Sequence, residues 1–525
     1  MIIAISALVS AALYTLSFPP AHQSWISWFA IVPFLVSIKG ATRKQQLRGA
    51  FLLNFGIGVG CFNWVAHAVS SYGEVPYIVG ILALFVFCSF NQLHWVFYIF
   101  ARNWVMDKSP RLWLLGCGLV YAAIDMLYPK LFADSIGHCW YNLKYFRQMA
   151  SLGSAYSIAA LILYSNEILA LTCLNVKAGT FKKSIKPLVV LAGCAIAVFF
   201  YGDHQYNTLE KIYADPALPH LRVSMIQANI GDLMKVAAEK GLATAGRQVV
   251  TDHLELSEEA RRQSDPDLIV WPETAYPSLL GQPTDRIDVD NETDILMWKS
   301  GFRGTLAVGG YDRDDHLVEY NSLFFWGSNE PRPTTVYHKS ILLMFGETLP
   351  FADDFPIVKK WIPNMGFFGR GHGTMLVELK NKQGEAFRLV PSICYEALYP
   401  ERGFEAEQIN ADALINITND SWFGTFGEPY LHLALTTFRA TETNLSVLRT
   451  TNTGITTWIH PTGDILMASN LDEKRVVTVD LPRKSSGRTL ISRFPHWFSW
   501  FSITCSLLLV VFLGVKRPRN TPISP

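Results

Sequence analysis

The stretch FRLVPSICYEA, residues 387–397, is apolar for most of its length and then breaks into a thiol, a phenol and a carboxylate. A strand buried on both faces reads as a near-continuous apolar run. Residues 387–393 therefore predict a central strand, with Cys394, Tyr395 and Glu396 just past its end. Related runs recur on both sides of it. They are LRVSMIQANI at 221–230, DLIVWPETAYP at 268–277, GTLAVGGYDR at 304–313 and YNSLFFWG at 320–327. Further along come ADALINITND at 411–420, SVLRTTNTGITTWIHPTG at 446–463 and RVVTVDL at 475–481. Each is strand-like in length and rich in Val, Ile, Leu or aromatics. Helical stretches lie between them, notably 236–263 and 429–443. Strands alternating with helices predict a layered α/β fold.

Beyond this region the chain changes character. Of its 525 residues 50% are apolar and only 17% charged, against about 25% charged in soluble domains. Mean hydropathy is positive. The balance points to a membrane protein with a soluble part. A net charge of +1 gives no basic footprint for nucleic acid. A helix needs about 20 mainly apolar residues to cross a bilayer. Eight runs approach that: 2–18, 24–38, 49–70, 76–100, 112–128, 150–173, 186–202 and 494–514. The first has no basic start and no small-residue cleavage site, so it reads as an anchor.

Lysine and arginine sit in alternate connections: Lys39, Arg43, Lys44 and Arg48; Arg102, Lys108 and Arg111; Lys177, Lys182, Lys183 and Lys186; then Lys516, Arg517 and Arg519. Connections 19–23 and 71–75 have none, while 129–149 carries Lys130, Lys144 and Arg147. Basic loops stay in the cytoplasm. Both termini are thus expected there, and the polar region outside it, in the periplasm of a Gram-negative cell. The expected organisation is a seven-helix membrane domain (1–204), an extracytoplasmic domain (205–488), and a last helix with a cytoplasmic tail (489–525). Asn91, Gln92, His94 and Glu167 lie within the apolar runs. They predict hydrogen bonds between helices or a polar lining below a lipid cavity. Asn63, Trp64 and His67 are placed to meet lipid headgroups.

Of eight cysteines, only Cys394 lies in the polar region. There is no CxxC and no Cys/His cluster, so neither a metal nor another cofactor is expected. Three stretches place a reactive group just beyond a buried strand: VWPETAYP with Glu273, YHKSILLMFGETLP with Lys339 and Glu347, and SICYEALYP with Cys394 and Glu396. A thiol is a poor nucleophile until deprotonated, with a free pKa of about 8.5. A carboxylate can take its proton. A fixed ammonium can then hold the oxyanion made by attack on a carbonyl. Glu273, Lys339 and Cys394 could supply base, oxyanion partner and nucleophile.

Glu, Lys and Cys in this order and on these flanks resemble the nitrilase superfamily of carbon–nitrogen hydrolases. FNWV in the third run, QANI at 227–230, WPETAYP, FGETLP, ICYE, TNDSWFG and TNTGIT resemble the apolipoprotein N-acyltransferase family. The resemblance implies a nitrilase-like αββα sandwich inserted between the transmembrane helices of an eight-helix membrane domain. It implies that Glu273, Lys339 and Cys394 are catalytic, with Glu347, Tyr395 and Glu396 in support. Cys394 would take an acyl chain from a membrane phospholipid, phosphatidylethanolamine, as a thioester. The chain would then pass to the N-terminal amine of a diacylglyceryl-cysteine lipoprotein. The chain departs from the family's pattern at Val236, where many relatives carry Trp, and at Leu343-Met344, where many carry Val-Pro. Two other readings stay open: a membrane-tethered nitrilase-type amidase or hydrolase, and an inactive lipoprotein-binding relative. GFFG at 366–369 and SWFGTFGEPY at 421–430 read as aromatic arms for the lipid surface, or as turns packed by their own rings.

Overall fold

The computed structural model describes residues 1–239, 241–277, 279–280, 305–327, 333–349 and 367–515. Lys516, Arg517 and Arg519, Gly366 and the Val236 side chain lie outside the described residues. The chain forms two compact units: Met1–Asn63 with Ile81–Tyr206 and Arg493–Pro525, and Trp64–Gly80 with Asn207–Ser492.

The first unit is helical. Five helices among the described residues are long and apolar enough to cross a membrane: Tyr77–Lys108, Pro110–Leu127, Phe146–Lys177, Lys182–Tyr213 and Trp497–Gly514. Arg43–Phe62 and Val65–Ser71 make a sixth only as a pair bent by 57°. The first two apolar runs form shorter helices, Ile2–Ser17 and Ser24–Ser37. Gln92, His94 and Glu167 are paired as expected, whereas the Asn91 carboxamide finds no hydrogen-bond partner among the described residues. Arg102 Nε donates to Glu167 Oε1 at 2.7 Å and the Tyr98 hydroxyl to the same oxygen at 3.2 Å. Gln92 donates to Asp134 at 2.7 Å, and His94 lies 3.1 Å from the Tyr121 hydroxyl. An ionic group in a helix bundle persists when a partner on a neighbouring helix neutralises it.

The bend in the third run corrects one expectation. Trp64 is buried rather than placed at headgroups. Its ring meets Phe423 edge-on at 5.3 Å, and His67 lies beside Gly424. The chain turns at Asn63 because these rings find an apolar partner in the second unit's own loop.

Among the described residues the second unit holds two six-stranded sheets, ordered β12-β1-β2-β3-β4-β5 and β11-β10-β9-β8-β7-β6. In the first, β1 (His220–Gln227), β2 (Leu268–Val270) and β3 (Thr305–Arg313) run parallel. β4 (Glu319–Trp326), β5 (Thr335–His338) and β12 (Arg475–Pro482) join antiparallel. In the second, β7 (Ala386–Ile393), β8 (Ala413–Thr418) and β9 (Ser446–Thr451) run parallel. β6 (Val377–Lys380), β10 (Thr457–Ile459) and β11 (Ile465–Leu466) flank them antiparallel. Strands β8 and β9 are buried at every position, as expected of strands covered on both sides. Helix Ala243–Ser264 packs its Val249, Val250 and Leu254 against Ile226, Ile269 and Trp271. Helix Glu428–Thr443 packs Leu433 and Ala440 against Leu414 and Val447. Helices outside and sheets inside give the αββα sandwich. The single helix expected over 236–263 is two, Asp232–Glu239 and Ala243–Ser264. Between them Gly241 has φ +85°, a conformation that stops a right-handed helix.

The two sheets approach closely at Gly309 on β3. A Cβ there would lie 2.2 Å from the Pro272 carbonyl and 2.8 Å from the Glu273 Cα, with Ile417 of β8 behind it. Backbone cannot yield as a side-chain tip can. Gly309→Ala is therefore expected to cost about 1–3 kcal/mol of stability and to displace Glu273. The unfolding midpoint should fall in this variant, read by thermal denaturation.

Candidate active site

Three strand ends of the second unit converge. Glu273 follows β2, where Trp271 donates to Ser257 at 2.8 Å and pins the strand end to its covering helix. Lys339 follows β5, its N–H held by the Asn321 carbonyl at 2.9 Å and its own carbonyl by the Gly371 N–H at 2.8 Å. Cys394 ends β7 and opens a short 3-10 helix, Cys394–Leu398, with φ +50°. A non-glycine residue in that region carries strain of order 1–3 kcal/mol. Sharp strand-to-helix turns of this kind present a nucleophile clear of its strand.

All three side chains are at least nine-tenths buried, and Lys339 is 1% exposed. The Lys339 ammonium lies 2.8 Å from Glu347 Oε1 and 3.3 Å from Glu273 Oε1. Asn321 Nδ2 donates to the same two oxygens, at 3.0 Å and 2.8 Å. The Asn419 N–H donates to Glu273 Oε2 at 2.9 Å, and the Leu343 N–H to Glu347 Oε2 at 2.8 Å. The lysine is thus bracketed by two carboxylates whose outer oxygens are fixed by backbone. Burial opposes its charge, but Glu347 and Glu273 outweigh that and hold its pKa well above the usual lysine value. Burial pushes the Cys394 thiol well above its ordinary pKa; the Glu273 charge adds to this, while Lys339 and the neighbouring Thr418 hydroxyl pull partly the other way. The resting sulfur is a neutral thiol, so it needs a base to act.

The supporting residues divide. Glu347 sits on Lys339. Glu396 touches neither the lysine nor the sulfur. Its carboxylate accepts from the Ser340, Ile341 and Ile393 N–H groups at 2.8, 3.1 and 2.8 Å, and from the Tyr337 and Ser340 hydroxyls. It ties the loop after Lys339 to the strand end before Cys394. Glu396→Ala would strand three backbone donors, one buried and two half-buried, at about 1–3 kcal/mol each. The expected loss is about 3–5 kcal/mol, read as a lowered unfolding midpoint. The Tyr395 hydroxyl accepts from Tyr399 at 2.7 Å.

Several neighbours were not legible as site residues. Lys235, on helix Asp232–Glu239, is 4% exposed and donates to the Glu273 carbonyl at 3.4 Å. With the Asn419 carboxamide oxygen turned toward it, Lys235 also donates there at 2.7 Å. A second cation thus backs the glutamate. Its signal in the sequence is a lone lysine a few residues past QANI. Asn321 and Asn419 lie in strand and turn segments whose polar residues carry no local mark.

The family profile described as "Apolipoprotein N-acyltransferase N-terminal domain" matches residues 10–168, and that described as "Carbon-nitrogen hydrolase" matches residues 222–489. An apolipoprotein N-acyltransferase of Bdellovibrio bacteriovorus is 30% identical over 524 residues, covering 96% of this chain and 92% of that one. The chain belongs to the apolipoprotein N-acyltransferase family. A further family member, from Geobacter metallireducens, is 26% identical and covers 97% of this chain and 95% of its own. The nitrilase-superfamily protein Nit3 of Saccharomyces cerevisiae is 15% identical, with a TM-score of 0.36, over 57% of this chain and 97% of that one. The family's two profiles fall on the apolar helices and on the sandwich that holds the three strand ends.

Proposed function

We propose that the chain moves an acyl group from a phospholipid to the N-terminal amine of a diacylglyceryl-cysteine lipoprotein through a thioester on Cys394. The observation that supports this most directly is one buried pocket of charge in which Lys339 lies between Glu273 and Glu347 and acts on the Cys394 thiol. In the first half, Glu273 takes the thiol proton and the sulfur attacks the ester carbonyl. The tetrahedral oxyanion rests against the Lys339 ammonium. Collapse breaks the ester C–O bond, and Glu273 returns the proton to the departing lysophospholipid oxygen. In the second half the lipoprotein amine attacks the thioester and gives its proton to Glu273. The same oxyanion partner serves again, the C–S bond breaks, and the sulfur leaves as thiolate to be reprotonated. The product is an amide.

Both reactants carry acyl chains, and drawing one into water costs about 0.8 kcal/mol per CH₂. The apolar helices let both stay in lipid. Phosphatidylethanolamine is the proposed donor. The proposed location is the inner membrane of a Gram-negative cell with residues 205–488 on the periplasmic side, supported by the basic connections in alternation. Near-complete burial of Lys339 and Cys394 keeps water from the thioester and favours transfer over hydrolysis. The test is purified protein with a phosphatidylethanolamine bearing a fluorescent acyl chain and a diacylated lipopeptide. Labelled peptide supports the reading; labelled fatty acid without labelled peptide makes the chain a hydrolase.

A further inference from the structure

Behind Cys394 lies a second buried cluster that the reaction above does not use. It comprises Asp420, just after β8, Glu428 and His432 on helix Glu428–Thr443, and Arg449 on β9. Arg449 Nη2 lies 2.7 Å from Asp420 Oδ2, and the Thr418 hydroxyl donates to Asp420 Oδ1 at 3.0 Å. His432 Nδ1 faces Asp420 Oδ1 and Glu428 Oε1, each at 3.4 Å. Arg449 thus holds one oxygen of Asp420, and the other faces the imidazole.

The other end of the imidazole reaches the nucleophile's own backbone. His432 Nε2 lies 3.3 Å from the Cys394 carbonyl oxygen. A carbonyl only accepts, so Nε2 carries a proton there. Asn416 Nδ2 lies 3.4 Å from the same oxygen, and its Oδ1 accepts from Arg449 at 3.1 Å. Two side chains, both tied to Arg449 or Asp420, thus hold one carbonyl. A trans peptide is planar, with its C=O and the following N–H pointing opposite ways. Drawing the Cys394 carbonyl toward the cluster therefore aims the Tyr395 N–H away from it.

We propose that His432 is a positioning residue for acylation: by holding the Cys394 carbonyl it fixes the plane of the Cys394–Tyr395 peptide, so that the Tyr395 N–H can meet the oxyanion alongside Lys339. The φ of +50° at Cys394 makes this restraint necessary, since an unsupported elbow would relax out of a strained well. Electrostatics support the donor state. Burial and Arg449 work against an imidazolium, but the bonds to Asp420 and Glu428 outweigh them and raise the His432 pKa. Burial and the Asp420 charge push the Glu428 pKa up to about 7. Whether that proton sits on His432 or Glu428, Nε2 keeps its own and still donates to Cys394.

The inference rests on Cys394 being the acylated nucleophile, and its test separates the two. Full-length protein in detergent is given the fluorescent-acyl phosphatidylethanolamine, and single-turnover labelling of Cys394 is timed. A parallel sample is alkylated with iodoacetamide, a displacement that makes no oxyanion. Variants H432L, H432N and H432Q are compared. A glutamine amide nitrogen mimics Nε2 and reaches the carbonyl; an asparagine nitrogen mimics Nδ1 and does not. H432L and H432N are expected to acylate on the order of 100-fold slower, the scale of losing one oxyanion donor, with half-saturating lipid little changed. H432Q should recover to within about tenfold of wild type, by the same loss scale. Alkylation should stay within about threefold in all, since thiolate supply is untouched. If H432L does not fold, the contrast between H432N and H432Q carries the test. Equal acylation by those two, wild-type acylation by H432L, or acylation and alkylation falling together would each overturn the proposal. Wild-type protein that alkylates but never acylates would instead overturn the thioester reading beneath it.

Discussion

Cys394→Ala is expected to abolish the acyl-enzyme and all transfer to lipopeptide while leaving the fold intact. The thiol is small, buried and flanked by Thr418 and the β7 end, so removing one sulfur leaves only a small void. Alanine also tolerates the elbow's backbone no worse than cysteine does. Intact-mass measurement after phospholipid exposure should show the acyl adduct in wild type and none in the variant. Cys394→Ser sharpens the result. A hydroxyl is far harder to deprotonate than a thiol, so the variant should be slower by at least about 10³-fold, on the scale of losing an activated nucleophile. A Cys394→Ala protein that still supports growth without the native acyltransferase would end the covalent mechanism.

The next largest effects are expected at Glu273 and Lys339, and they should differ in kind. In Glu273→Gln the amide cannot take the thiol proton. Its NH₂ must also face either the Asn419 N–H or the Lys339 and Asn321 donors, so geometry suffers too. Acyl-enzyme formation should fall about 10²–10⁴-fold, the usual worth of a general base. Raising the pH should restore part of it. Burial holds the thiol pKa above the ordinary value, so thiolate supply rises tenfold per pH unit with no plateau near pH 9. Lys339→Met instead removes the cation between two carboxylates and should cost about 10²–10³-fold through the oxyanion, with no alkaline recovery. The wild-type lysine has its folded pKa raised. Its stabilising contribution is therefore complete below the unfolded value of about 10.4 and fades only as pH climbs through the folded one. Wild-type activity should accordingly fail at high pH once the lysine loses its proton.

Much of this was legible beforehand, for a physical reason. Strands such as VPSI and ALINIT are mostly apolar because sheets and helices cover both faces, and a reactive group at their ends then stands out. The apolar runs were visible because a helix that crosses lipid needs about 20 apolar residues in succession, although the first two form only the shorter helices Ile2–Ser17 and Ser24–Ser37. The break at Asn63–Trp64 was not, because Trp64 and His67 beyond it pack on Phe423, Gly424 and Gly427, which lie far along the chain. Lys235, Asn321 and Asn419 were hidden for a related cause. Asn419 meets Glu273 through its backbone N–H, and a main-chain donor leaves no trace in residue type. Arg449 sits inside an apparent strand, and its bonds to Asp420 and Asn416 explain a buried guanidinium.

The pairing of β1 with β12 bears on how the protein is made. His220 through Gln227 align with Pro482 through Arg475, so the earliest strand of the sandwich waits for the latest to be synthesised. Until then a nascent chain exposes the Leu221–Ile226 edge, an invitation to wrong partners, and such distant closure is slow. A ribosome product ending before Arg475 should be captured by chaperones or precipitate, although every residue of the reactive trio is already present.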